Sequence, residues 1–202
     1  MKNLTEMDIA GCLKLAYQEG VIAASDEVPG WINEDNLHCA AVLIPLAWYQ
    51  GEWHVILTRR SDKVDTHPGQ VSFPGGGCNR EDSSAEATAL REAEEEIGLS
   101  PGHVRLLGRL NDVVTITHYR VTPIVGVVPW PYQVKPAPDE VARVFTIPLG
   151  WLADRGNCRE TPFTPGGSER PVPIIIYDPY DEEILWGISG RMIRQLLEVL
   201  GL

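Results

Sequence analysis

The chain has 202 residues, 44% of them hydrophobic, a formal net charge of −11 and a pI near 4.9. That length and apolar content suit one globular domain with a sizeable core. An acidic balance without a basic run argues against binding nucleic acid through its phosphates, and no apolar run approaches the ~20 residues needed to span a bilayer.

Residues 4–19 place Ile9, Leu13, Ala16 and Tyr17 near one face of an amphipathic helix. Lys2, Glu6, Asp8, Lys14 and Glu19 interrupt any signal-peptide core. A loop containing Pro29 and Gly30 follows, so residues 1–36 read as an N-terminal helix and loop of a single domain spanning 1–202. Two β-rich segments, 40–46 and 53–58, flank a hairpin-like break at Gln50-Gly51. A glycine-rich loop then leads into a helix over 84–97. Strands are expected at 104–110, 121–128, 143–147 and 173–177, with a short one near Ile184 and a closing helix over 189–200. Residues 156–173, rich in Gly, Pro and Ser/Thr, read as a loop whose length fits a substrate flap or a tolerated insertion. Irregular alternation of strands and helices predicts an α/β fold with a mixed sheet covered on both faces. Cys12, Cys39, Cys78 and Cys158 form no Cys-x-x-Cys motif and suggest no disulfide framework; reduced thiols in a soluble cytoplasmic protein are expected.

The chemistry concentrates in Arg91-Glu92 followed by Glu95-Glu96 and Gly98. On a helix Glu92, Glu95 and Glu96 share one face, where like charges repel. Most such runs are solvated surface, but this one lies between Phe73-Pro74-Gly75-Gly76-Gly77 and Gly98. Glycines upstream admit close approach of backbone to a ligand or metal, and Gly98 suits a left-handed cap. A hard divalent cation, binding carboxylate and phosphate oxygens together, would resolve the repulsion. Ser83 with Glu86 suggests a capping box at the helix start.

Gly77, Arg91, Glu92, Ala93, Glu95, Glu96, Gly98 and Leu99 match the box of the Nudix hydrolases, which this chain resembles. The box is Gly, five residues, Glu, seven residues, then Arg-Glu-apolar-any-Glu-Glu-any-Gly-apolar; its early Glu is Ser83 here. Leu57, Thr58, Arg60, Ser61, Gly69, Phe73, Pro74, Gly75 and Gly76 are in turn similar to the signature of the coenzyme A pyrophosphatase branch, in which the early Glu is commonly missing. Asp65 stands where that signature has a second Arg. Together the two motifs cover about a fifth of the chain.

The resemblance implies an α/β/α sandwich and Mg²⁺- or Mn²⁺-dependent hydrolysis of coenzyme A to 3′,5′-ADP and 4′-phosphopantetheine. It also suggests a homodimer; the acidic charge and the short apolar runs leave neither nucleic acid nor membrane as an expected partner. Glu92, Glu95 and Glu96 are the expected catalytic metal ligands, and the resemblance adds the Gly76 carbonyl. Gly75 and Gly76 would also line the substrate. Arg91 reads as structural. Glu140, beside Asp139 in a loop before a strand, is the candidate assisting acid or base; an exposed acidic turn is the alternative. His67 is a further acid–base candidate, although a lone loop histidine is more often solvated. Arg59, Arg60 and Lys63 could meet the 3′-phosphate; adjacent strand residues face opposite ways, so at most one of Arg59 and Arg60 faces the ligand, and the resemblance to the branch signature selects Arg60. Trp130 and Trp186 could stack on adenine or simply pack in the core. Hydrolysis of another nucleoside diphosphate derivative (NADH, ADP-ribose, a nucleotide sugar or a nucleoside triphosphate) and a non-catalytic binding module are the competing readings.

Overall fold

Side-chain alternation along one long strand divides the molecule into layers. In β1 (His38–Tyr49), Ala40, Ile44 and Leu46 enter one apolar cluster while Ala41, Leu43 and Ala47 enter another. Successive strand residues point to opposite faces, so a strand apolar on both parities lies in the middle of a sandwich. The computed structural model describes residues 4–18, 36–164 and 171–202. Against the first cluster pack α1 (Glu6–Gln18), through Ile9 and Leu13, and the C-terminal helix, through Met192, Ile193, Leu196 and Leu197. The opposite cluster takes α2 (Ala85–Ile97), through Ala89, Ala93 and Ile97.

The sheet is mixed. β1 pairs antiparallel with β2 (Glu52–Arg60) through a turn at Gln50-Gly51, both at positive φ. β3 (Val71–Ser72) joins β2, and β4 (Gly75–Gly77) joins β1 with Gly76 opposite Ala41. β5 (Arg105–Arg109) and β6 (Val113–Val114) pair antiparallel with β7 (Tyr119–Val127), which runs parallel to β1. β8 (Val141–Pro148) borders β2 and leads into the short α3 (Leu149–Ala153). β9 (Cys158–Phe163) and β10 (Val172–Tyr177) form a separate hairpin before α4 (Gly187–Leu200). Sheet and helices form the expected α/β/α sandwich.

Several expectations are corrected. Part of the 156–173 loop is the strand β9; residues 165–170 and the Pro29-Gly30 loop lie outside the described residues. The glycine loop is itself a strand in part, because pairing with β1 overrides the poor strand propensity of glycine. Near Ile184 there are isolated bridges, Tyr180 with Glu183 and Ile176 with Trp186. Tyr17 is 63% exposed, leaving Ile9, Leu13 and Ala16 as the buried side of α1. The cap of α2 is Ser84, whose hydroxyl accepts from the Ala87 N–H at 3.2 Å, so Ser83 and Glu86 make no capping box. Gly98 ends α2 at φ 68°, its N–H directed to the Ala93 and Glu94 carbonyls.

The cysteine expectation also changes. Cys39 and Cys78 form a disulfide, continuing the β1–β4 ladder where the Cys78 N–H donates to the Cys39 carbonyl at 3.0 Å. Cys12 and Cys158 are free thiols. No helix among the described residues is long and apolar enough to cross a membrane. A cross-link over 39 residues restricts the unfolded chain substantially, so reduction or Cys78→Ser is expected to cost about 2–4 kcal/mol. Urea denaturation with and without reductant checks this; identical midpoints would show that the bond contributes nothing.

Candidate active site

The site begins with how closely α2 approaches the β1–β4 ladder. Ala89 and Ala93 are fully buried and short, which lets the helix lie near the sheet. A Cβ built on Gly76 would come within 2.6 Å of the Glu92 carboxylate, and one on Gly75 within 2.5 Å of the Ala41 carbonyl. Glycine at both positions thus answers to contact rather than to dihedral freedom, against fixed backbone at Gly75 and against a movable carboxylate at Gly76.

Arg91 organises the near end of the helix. Its Nη1 donates to Glu92 Oε1 at 2.8 Å and to Glu95 Oε2 at 3.0 Å, and its Nη2 donates to the Gly77 carbonyl at 3.0 Å. Both oxygens of Asp82 accept from it, Oδ1 from Nε at 3.1 Å and Oδ2 from Nη2 at 3.0 Å. Arg91 thus pairs with helix carboxylates and a loop carbonyl, the contacts expected of a structural residue. Asp82 is the residue sequence reasoning missed; an acid just before a helix start reads as a cap and gives no sign of reaching nine residues on.

Glu96 is only 5% exposed. Burial pushes its carboxyl up to about 8; Glu92 and Glu140 push the same way, while Arg60 and a Gly75 backbone hydrogen bond oppose them. Burial likewise raises Glu92, against the pull of Arg91, with Glu95 and Glu140 adding to the rise. Glu140 therefore shares the electrostatic field of the two helix carboxylates. It is placed there by its carbonyl, which accepts from the Ser61 N–H at 2.8 Å, and by its own N–H, which donates to the Ala137 carbonyl at 3.0 Å. The Ala137 N–H in turn donates to the Glu96 carbonyl at 2.8 Å, so the segment is strapped to α2.

The NUDIX domain family model matches residues 37–165 of this chain. An uncharacterized Nudix hydrolase of Escherichia coli strain K12, NudL, is 37% identical over 172 residues, covering 84% of this chain and 88% of its own. The chain belongs to the Nudix hydrolase family. A NudL protein of Shigella boydii serotype 18 matches with the same identity and coverage. Among solved structures, a MutT/nudix family protein from Enterococcus faecalis is 18% identical, with a TM-score of 0.49, covering 95% of this chain and 74% of that one. Family membership carries the general function: hydrolysis of a nucleoside diphosphate derivative.

The expected site residues of this Nudix hydrolase fall into two groups. Glu92, Glu96, Glu140 and Arg60 interact electrostatically, with Gly75 and Gly76 against them. Glu95 lies farther out, its side chain 59% exposed and paired to Arg91. Lys63 is exposed and bonded to Asp139 at 3.0 Å, and Arg59 is paired with Asp62 at 3.1 Å and Glu183 at 3.7 Å. His67 is exposed, its carbonyl accepting from the Gln70 N–H at 3.3 Å. Trp130 packs, partly buried, against the α2-side core.

Nudix hydrolases work with divalent metal ions. Among the described residues no three His, Cys, Asp or Glu side chains form a preassembled metal cage, and Arg91 engages one oxygen of Glu92 and one of Glu95. The donor chemistry nevertheless fits a hard cation. These are oxygen ligands, and the repulsion that Glu92 and Glu140 exert on Glu96, and Glu95 and Glu140 on Glu92, is what bound positive charge relieves.

Two outcomes follow. Replacing Gly76 with Ala must displace the Glu92 carboxylate, a flexible group, so stability should change by less than about 1 kcal/mol while turnover falls by roughly 100-fold. Steady-state kinetics beside thermal melting separate the two effects, and unchanged turnover would refute the contact's importance. For Glu96, a carboxyl raised in the folded state keeps its proton between its ordinary range and about 8 while the unfolded chain has lost it. Metal-free stability contributed by this group should therefore fall as pH rises through that window. Glu96→Gln should flatten the slope, and Mg²⁺ should restore stability at the alkaline end. Urea titrations across the window decide the matter; a wild-type slope in the variant would assign the proton elsewhere.

Proposed function

We propose that this Nudix hydrolase is a coenzyme A pyrophosphatase. The observation that carries the reading is the position of Arg60, a residue of the coenzyme A signature, within electrostatic reach of Glu96 while the adjacent Arg59 is committed to Asp62 and Glu183. A cation at the mouth of an acidic site is suited to the extra phosphate that distinguishes coenzyme A from simpler adenosine diphosphates.

In this reading water adds to one phosphorus of the diphosphate and the bridging P–O bond breaks, giving 3′,5′-ADP and 4′-phosphopantetheine, or its acyl form. Bound Mg²⁺ or Mn²⁺ supplies charge neutralisation and lowers the pKa of water. Glu92, Glu95 and Glu96 would hold it with the Gly76 carbonyl. Glu140 accepts the proton lost by the attacking water, directly or through a second water. Gly75 and Gly76 let the diphosphate approach the backbone closely, and Arg60 orients its anionic end.

Asp65 favours a second reading. It places a negative charge where the branch signature has Arg, and Lys63 is already neutralised by Asp139. A substrate without the 3′-phosphate, such as ADP-ribose, NADH or a nucleotide sugar, needs fewer cations there. A binding module without catalysis is disfavoured by the intact Glu92, Glu95 and Glu96.

Mass-spectrometric product analysis with Mg²⁺ or Mn²⁺ tests the proposal on coenzyme A, dephospho-coenzyme A, ADP-ribose, NADH and a nucleoside triphosphate. Release of 3′,5′-ADP from coenzyme A well ahead of the others is expected, with Glu96→Gln abolishing it. Preference for another diphosphate would retain Nudix chemistry and reject this substrate. No cleavage with either metal would favour the binding module.

A further inference from the structure

Position 83, where the family's box has an acid, is serine, yet Arg91 does not lack a carboxylate partner outside its own helix. Asp82 provides it from one residue earlier, with its side chain only 8% exposed. Two bonds fix that carboxylate, and a third fixes its backbone, independently of Arg91's helix-face partners. The Asn79 N–H donates to Oδ2 at 2.8 Å, the Thr88 hydroxyl donates to Oδ2 at 2.9 Å, and the Asp82 N–H donates to the Asn79 carbonyl at 3.1 Å. The loop and the first turns of α2 are thereby joined around one anion.

We propose that Asp82 is a positioning residue for the hydrolysis, clamping Arg91 so that only its Nη1 meets Glu92 and Glu95. The proposal rests on the Nudix reading of the site. The geometry divides the guanidinium: its Nε and Nη2 edge takes both Asp82 oxygens, Nη2 also takes the Gly77 carbonyl, and Nη1 touches one oxygen of each glutamate. A planar fork held on one edge cannot turn to cover a second carboxylate in full. Asp82 also neutralises the guanidinium, which would otherwise repel a cation placed at Glu92. Without it, Arg91 is released to pair more completely with Glu92 or Glu95 and to compete for the oxygens a metal ion needs.

The test compares Asp82→Asn with Thr88→Val. The second variant removes one of Asp82's anchors at the helix start and leaves the Arg91 clamp. For Asp82→Asn, kcat should drop and Mn²⁺ binding, followed by electron paramagnetic resonance without substrate, should weaken, each by about 10–100-fold. KM should change much less. Thr88→Val should melt at a lower temperature yet keep kcat and Mn²⁺ affinity within about twofold. If Asp82→Asn does not fold, Asp82→Glu keeps the charge but displaces its oxygens, and the same losses are expected. Near-wild-type kcat and Mn²⁺ affinity in the Asp82 variant would overturn the proposal. So would equal losses in Thr88→Val, since Asp82 would then be only a helix-start staple. Should the wild type cleave none of the five substrates but bind Mn²⁺, the substrate reading fails and the Mn²⁺ titrations still decide the role of Asp82. A wild type that binds no Mn²⁺ defeats both.

Discussion

A repulsion lies at the centre of this molecule. Burial raises the carboxyls of Glu92 and Glu96; the charges of Glu92 and Glu140 add to the rise at Glu96, and those of Glu95 and Glu140 add to it at Glu92. Carboxylates left to themselves would separate into solvent, since burying a charge without a partner is among the most costly things a fold can do. Here the backbone prevents it. Glu92 and Glu96 are four apart on a helix capped at Ser84 and Gly98, and Glu140 is tied through Ser61 and Ala137. The stability of the surrounding sandwich opposes that repulsion and keeps the acids near one another, short of a closed metal cage among the described residues.

The same constraint explains the distribution of small residues. Charged side chains near the sheet require the helix to lie close, and closeness requires alanine at positions 89 and 93 and glycine at 75 and 76. Larger side chains would bury more apolar area and strengthen the layer contact, but they would lift Glu92 away from the glycine strand. Packing on the α2 side is thus subordinate to the site. On the opposite side α1 and α4 pack with Ile9, Leu13, Ile193 and Leu196, larger residues that build the main core.

What could be read from the sequence followed from locality. The α2 carboxylates share a face because helical spacing alone puts them there, and Gly98 could be placed as the cap because a left-handed residue must end that helix. The strands of the central sheet were legible from apolar runs in β1, β2 and β7. Features decided by distant partners were not. Cys39 and Cys78 are 39 residues apart, and only the β1–β4 ladder brings them together. The glycine strand β4 has no strand propensity of its own, and β9 carries Glu160, Thr161 and Pro162 with little burial to mark it. Asp82 was hidden for another reason: the family pattern directs attention to position 83, whereas the loop geometry delivers the carboxylate from its neighbour.

The arginines show how strand alternation allocates charge. Arg59 and Arg60 are adjacent, and the pairing of β2 with β8 shifts register between them. The extra residue is Ala142 on β8, and along β2 itself successive side chains point to opposite faces. Arg59 consequently meets Asp62 and Glu183 on one side, while Arg60 acts on Glu96 and its Nε donates to the Thr66 carbonyl at 3.3 Å. Lys63, a few residues on, is taken by Asp139. Of three cations clustered in sequence, one therefore influences the carboxylates directly. A chain with net charge −11 cannot attract an anionic substrate through its overall field, so recognition must come from fixed local charge. In the proposed reading Arg60 would supply that charge beside Glu96, and the strand alternation that turns it away from Arg59 would then belong to the site as much as the acids do.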